Sequence, residues 1–131
     1  SLAPLSGARE ALRVLNKLQK QGHQVWFISH RMGDTAHVQT LKWLYNFGID
    51  YPQLLLAANK APYLRILGAN LFIDDKPETV LEVARVAAEE QWKDFSLFLK
   101  ATPYNKEIWG DGRFRVVGSV GEMLEDTGLW D

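Results

Sequence analysis

Side chains suited to phosphate chemistry stand at the ends of successive apolar runs in this chain: a hydroxyl at Ser29, an ammonium at Lys60, and two carboxylates at Asp74 and Asp75. The acids are the most informative. Leu71-Phe72-Ile73 is an apolar run that ends in Asp74-Asp75 and passes through Lys76-Pro77-Glu78 into a helical pattern, which predicts both carboxylates at the carboxyl end of a strand. Open α/β sheets bind their ligands at that edge. Two neighbouring carboxylates cannot both stay ionised in a dry site without a cation. An oxygen-only set of this kind suits Mg²⁺, which binds through one or two carboxylates plus a substrate phosphate. The Lys60 ammonium offsets charge on phosphoryl oxygens in a transition state, and the Ser29 hydroxyl helps fix orientation. Taken singly, each residue has a plainer role: a helix cap for the Asp pair, a turn for Ser29, a solvated side chain for Lys60. Their ordered placement after successive strands is the argument for a site.

The elements that must position these groups follow from hydrophobic periodicity. Between Gly7 and Gln21 the apolar residues Ala8, Ala11, Leu12, Val14, Leu15 and Leu18 fall on one helical face, and Gly22 ends the helix. Val25 to Ile28 is a short continuous apolar run, the mark of a strand covered on both faces, and it stops at Ser29-His30-Arg31. Asp34 or Thr35 can cap a helix through Val38, Leu41, Leu44 and Phe47, closed by Gly48. Leu54 to Ala57 is the next strand. Asn59-Lys60-Ala61-Pro62 opens a short helix, with Pro62 in the first turn and Gly68 at the end. After the Leu71–Ile73 strand comes a helix from Pro77 with Val80, Leu81, Ala84, Val86 and Ala87 inward, then a strand over Phe95–Leu99. Turn residues in Pro103-Tyr104-Asn105 and Trp109-Gly110-Asp111-Gly112 predict a loop, Arg115–Val117 a short strand, and Ser119 with Glu122 a capping box that starts the last helix.

Strand and helix alternate throughout, which predicts an α/β fold: a three-layer Rossmann-like sandwich around a mainly parallel sheet. Its length of 131 residues reads as one domain, 1–131. Hydrophobic residues at 47% and charged residues at 24% fit a globular chain rather than a disordered one. With 15 basic and 16 acidic residues the net charge is -1, so no general attraction to a nucleic acid polymer or an anionic membrane is expected. The absence of cysteine excludes disulfides and thiolate chemistry and permits a reducing, cytoplasmic setting. No run is long enough for a membrane span. His23, His30 and His37 do not make a metal triad, and only His30 is placed near the site. Arg31 beside it is either a bidentate partner for a substrate phosphate or an exposed loop arginine.

Ile28-Ser29-His30-Arg31, Lys60 and Phe72-Ile73-Asp74-Asp75-Lys76-Pro77-Glu78 resemble motifs II, III and IV of the haloacid dehalogenase (HAD) superfamily of phosphohydrolases. Lys76-Pro77-Glu78 and Pro103-Tyr104-Asn105 look most like its 5'-deoxyribonucleotidase and related nucleotidase branch. The resemblance implies a HAD-like fold, a phosphorylated small molecule such as a nucleoside monophosphate as substrate, and Mg²⁺ as cofactor. It also implies roles: Ser29 on the phosphoryl group, Lys60 on the nucleophile and intermediate, Asp74 or Asp75 on the metal, directly or through water, and Asn105 lining the site.

The family's nucleophile lies in an Asp-x-Asp at the end of its first and central strand, and this sequence contains no Asp-x-Asp. By the resemblance, the chain lacks that strand and the cap that follows it. Three expectations follow. The chain is the carboxyl-terminal portion of a longer HAD core, the reading the Ser1 start favours; or it is completed by a second chain that supplies strand and aspartates; or it is a non-catalytic member that keeps a phosphate-binding or assembly role.

Overall fold

Local sequence explains most of the elements in the structure, a computed structural model that describes residues 8–22, 26–29, 53–56 and 59–129. The chain divides into two compact units, Ser1–Ala58 and Asn59–Leu129.

In the first unit, helix α1 spans Ala8–Lys20. Leu18 is buried while Arg13 and Lys17 face solvent, as its periodicity predicts. Lys17 and Lys20 lie in the last turn, where cations meet the negative end of the helix dipole. Gly22 follows at φ +96°, a conformation that glycine adopts without strain. Strands β1 (Trp26–Ser29) and β2 (Gln53–Leu56) pair in parallel, with Trp26 opposite Gln53 and Ser29 opposite Leu56. The helix expected between Asp34 and Phe47 lies outside the described residues.

The second unit is a three-stranded, all-parallel sheet in the order β3 (Leu71–Asp74), β4 (Ser96–Lys100), β5 (Arg115–Val117). It is preceded by helix α2 (Ala61–Leu67) and interleaved with α3 (Pro77–Glu89), and α4 (Val120–Asp126) follows the last strand. This is the α/β, parallel-sheet pattern that the alternation predicts. Asp74 pairs with Leu99 in the β3–β4 ladder, so the strand runs one residue beyond the apolar run and takes the first acid into the sheet. Leu97, Phe98 and Leu99 are all buried although successive side chains of a strand point to opposite faces, so both faces of β4 are covered. Val80, Val83 and Ala84 form the buried stripe of α3. Val83 was not among the positions expected inward, and Leu81, Val86 and Ala87 are only half-buried.

Helix ends in this unit repeat one device. Gly68, Gln91 and Gly128 adopt positive φ just past α2, α3 and α4. In each case the next residue's N–H reaches back to a carbonyl five positions earlier: Ala69 to Leu64, Trp92 to Ala87, Leu129 to Leu124. These are Schellman closures, and they satisfy carbonyls that a helix end would otherwise leave without partners. At the start of α4, Ser119 Oγ accepts the Glu122 N–H at 3.1 Å, while the Glu122 carboxylate accepts the Gly118 N–H at 2.6 Å. The capping box is therefore present, shifted by one donor from its usual reciprocal form. Ser119→Ala is expected to cost about 1 kcal/mol in urea unfolding. Among the described residues no helix is long and apolar enough to cross a membrane.

Candidate active site

The site begins with the way α2 fixes Lys60. Ala61 and Leu64 are buried, which seats the first turn of the helix, and Lys60 occupies its N-cap position. The lysine side chain passes the Phe72 ring, with Nζ 5.8 Å from the ring centroid, and ends on Asp74 Oδ2 at 2.7 Å. Phe72 and Asp74 are two residues apart on β3 and so share a face, which explains how one side chain meets both. The pair is sequestered, the two side chains being 9% and 10% exposed.

The other oxygen of Asp74 is committed to backbone. Oδ1 accepts the N–H groups of Asp75 at 2.7 Å and Lys76 at 3.1 Å, an Asx-type turn at the end of the strand. Burial pushes the Asp74 carboxyl up. The Lys60 hydrogen bond, the Lys76 N–H, the Lys60 charge and the Asp75 N–H together outweigh it and hold the group below its ordinary value. Asp74 is thus an ionised carboxylate with three donors.

Asp75 is different. Its side chain is exposed, and among the described residues no hydrogen bond or ion pair engages its carboxylate. An open carboxylate beside a fixed one suits a hard divalent cation that keeps most of its water. It does not suit a metal caged by protein, and among the described residues no group of three or more His, Cys, Asp or Glu side chains could form such a cage.

With that geometry in view, the curated relatives are informative. The chain is 33% identical over 88 residues to a Chlorobaculum tepidum protein named "Putative 5'(3')-deoxyribonucleotidase", an alignment covering 63% of this chain and 40% of that protein. It is 29% identical over 103 residues to a Bacillus cereus protein named "Putative nucleotidase", covering 75% of this chain and 50% of that one. It resembles nucleotidase-named proteins. The chain spans half or less of the length of these two relatives. No family model matches it, and no solved structure matches it.

Of the residues singled out in the sequence, the structure brings together Lys60, Asp74 and Asp75, with Asn105 behind them. Ser29 closes β1 in the other unit, at the carboxyl end of that strand. His30 and Arg31 lie outside the described residues. Asn105, expected to line the site, is instead fully buried. Its Nδ2 donates to the carbonyls of Asp75 and Lys100, both at 2.9 Å, and its Oδ1 accepts from Thr102 N at 3.1 Å and Trp109 Nε1 at 2.7 Å. Two donors and two acceptor positions are all that a carboxamide has, so none is left for a ligand. Its neighbour Tyr104 is 87% exposed. Trp109 is the residue that sequence reasoning missed, since its bond to Asn105 spans a 3₁₀ turn over Lys106–Ile108 inside the segment expected to be a loop.

Proposed function

We propose that this chain carries the lysine and the acids of a Mg²⁺-dependent phosphomonoesterase of the HAD type, acting on a nucleotide. The observation that carries the reading is the buried Lys60–Asp74 pair at the carboxyl end of β3 with the open Asp75 carboxylate next to it. The nucleotidase names of the relatives supply the substrate class.

In this reading Asp75 and the one lone pair left on Asp74 Oδ2 would hold Mg²⁺, with water and substrate phosphate completing its ligands. Bound there, the metal supplies charge neutralisation for the phosphoryl oxygens. Lys60 holds Asp74 ionised and places positive charge where the attacking carboxylate and the phosphoryl group meet. The attacking carboxylate comes from outside these 131 residues, because the sequence has no Asp-x-Asp. That same lack favours a second reading, a non-catalytic phosphate-binding or assembly module on this fold.

The test is hydrolysis of nucleoside monophosphates with and without Mg²⁺, by these residues alone and by the product of the complete gene. These residues alone are expected to show no turnover. The complete product is expected to be metal-dependent and to lose at least about tenfold in activity with Asp75→Asn. Turnover by these residues alone would overturn the external nucleophile. A complete product that binds Mg²⁺ and phosphate but never turns over would establish the second reading.

A further inference from the structure

The carbonyl of Asp75 and the N–H of Lys76 belong to one peptide unit, which is planar and trans, so the two groups point in opposite directions. Both ends of that unit are held. Asn105 Nδ2 donates to the Asp75 carbonyl at 2.9 Å, and the Lys76 N–H donates to Asp74 Oδ1 at 3.1 Å. Turning the peptide plane would break both bonds together, and hydrogen bonds in such a chain polarise one another. Pro77 adds a restraint by keeping the residue before it extended, and Lys76 has φ -78° and ψ 119°.

The orientation of the carboxamide is itself determined. Nδ2 faces two carbonyls, and Oδ1 faces the Thr102 N–H and the Trp109 indole N–H, an arrangement that a flipped amide would turn into four repulsive contacts. Its second donor goes to Lys100 O, at the last residue of β4, one step beyond the Asp74–Leu99 pair. The side chain thus bridges the ends of β3 and β4 where their ladder stops.

We infer that Asn105 is a positioning residue for the acidic strand end: its carboxamide, oriented by Trp109, fixes the Asp75–Lys76 peptide, and with it the direction of the Asp75 carboxylate and the N–H given to Asp74. The clamp is a matter of geometry. Its service to a metal site rests on the function proposed above, so the experiment separates the two.

Amide spectra of the full chain, recorded without metal and then during titration with MgCl₂, are compared for the parent, Asn105→Asp and Trp109→Phe. Asn105→Asp keeps the acceptors and removes the donors to Asp75 and Lys100. Trp109→Phe removes only the indole donor at a partly exposed position, and covers the case in which Asn105→Asp does not fold. Without metal, both variants are expected to shift the Lys76 amide and speed its exchange, by about tenfold for Asn105→Asp, the order expected for loss of one buried hydrogen bond. The Ser96 amide, which donates to Asn70 O at the opposite end of the β3–β4 ladder, is expected to stay unchanged as a control for the sheet. Unchanged Lys76 exchange in a folded variant would overturn the clamp, whatever the metal does. In the titration, Asp75 and Lys76 are expected to move in the parent, with Mg²⁺ affinity about tenfold weaker in Asn105→Asp. A parent that shows the clamp but no response to Mg²⁺ would refute the metal reading and leave the clamp standing.

Discussion

Lys60→Met is expected to destabilise the β3–β5 unit by about 3–5 kcal/mol, the usual consequence of removing one partner from a buried ion pair. Methionine fills most of the volume along Phe72, so the loss is electrostatic: Asp74 stays buried with its Oδ2 unpartnered, while Oδ1 keeps the Asp75 and Lys76 N–H groups. The double variant Lys60→Met with Asp74→Asn is expected to regain most of that loss, because asparagine is neutral and its oxygen still accepts both N–H groups. Urea unfolding, followed by amide exchange in β3–β5, measures each value. A cost below about 1 kcal/mol, typical of exposed pairs, would show that water reaches the pair and would remove the argument for a sequestered lysine. Acid adds a second signature. Asp74 is held below the ordinary carboxylate value of about 4, so its contribution is complete above that pH and is lost as pH falls through its lower folded value. In Lys60→Met, burial is opposed only by the two N–H groups, and the fall in stability on acidification should shrink.

The residues that make this pair were legible in the sequence, but the pair was not. Leu71-Phe72-Ile73 gave a strand because three apolar residues bounded by turn signals have few alternatives, and Gly68 and Ser119 marked helix ends because caps depend on neighbours only a few residues away. The contact between Lys60 and Asp74 spans fourteen positions and depends on how α2, which packs on α3, sets its first turn beside the end of β3, which no local pattern encodes. Asn105 is a sharper case. Its partners are the carbonyls of Asp75 and Lys100, and a backbone carbonyl looks the same in sequence whichever residue bears it. A polar residue in a loop beside a site therefore read as facing ligand, when its polar atoms are all spent inside the protein. Strand β4 starts at Ser96 rather than at Phe95, and Phe95 packs edge-on against Trp92, ring centroids 5.0 Å apart, in the turn before the strand.

Phe98→Ala and Leu99→Ala are each expected to cost several kcal/mol, about 3–5 for the phenylalanine and 2–5 for the leucine. The two side chains are 1% and 0% exposed and leave β4 on opposite faces, so each substitution opens a separate cavity. Ile66→Ala, at a position 78% exposed, is expected to stay within about 0.5 kcal/mol and serves as the comparison for loss of an apolar side chain without a cavity. The three midpoints in urea decide the layer architecture. If one of the two β4 variants behaved like Ile66→Ala, that face of the strand would be open to solvent, and a sheet covered on both sides would be the wrong description. Leu99 carries a further consequence because it pairs with Asp74 across the ladder. A cavity beneath that pair loosens the strand end on which both acids depend, so Leu99→Ala should speed amide exchange at Asp75 and Lys76 more than Phe98→Ala does. Equal effects of the two would mean that the acidic turn is held by Asn105 and Lys60 alone, independently of the packing under β3.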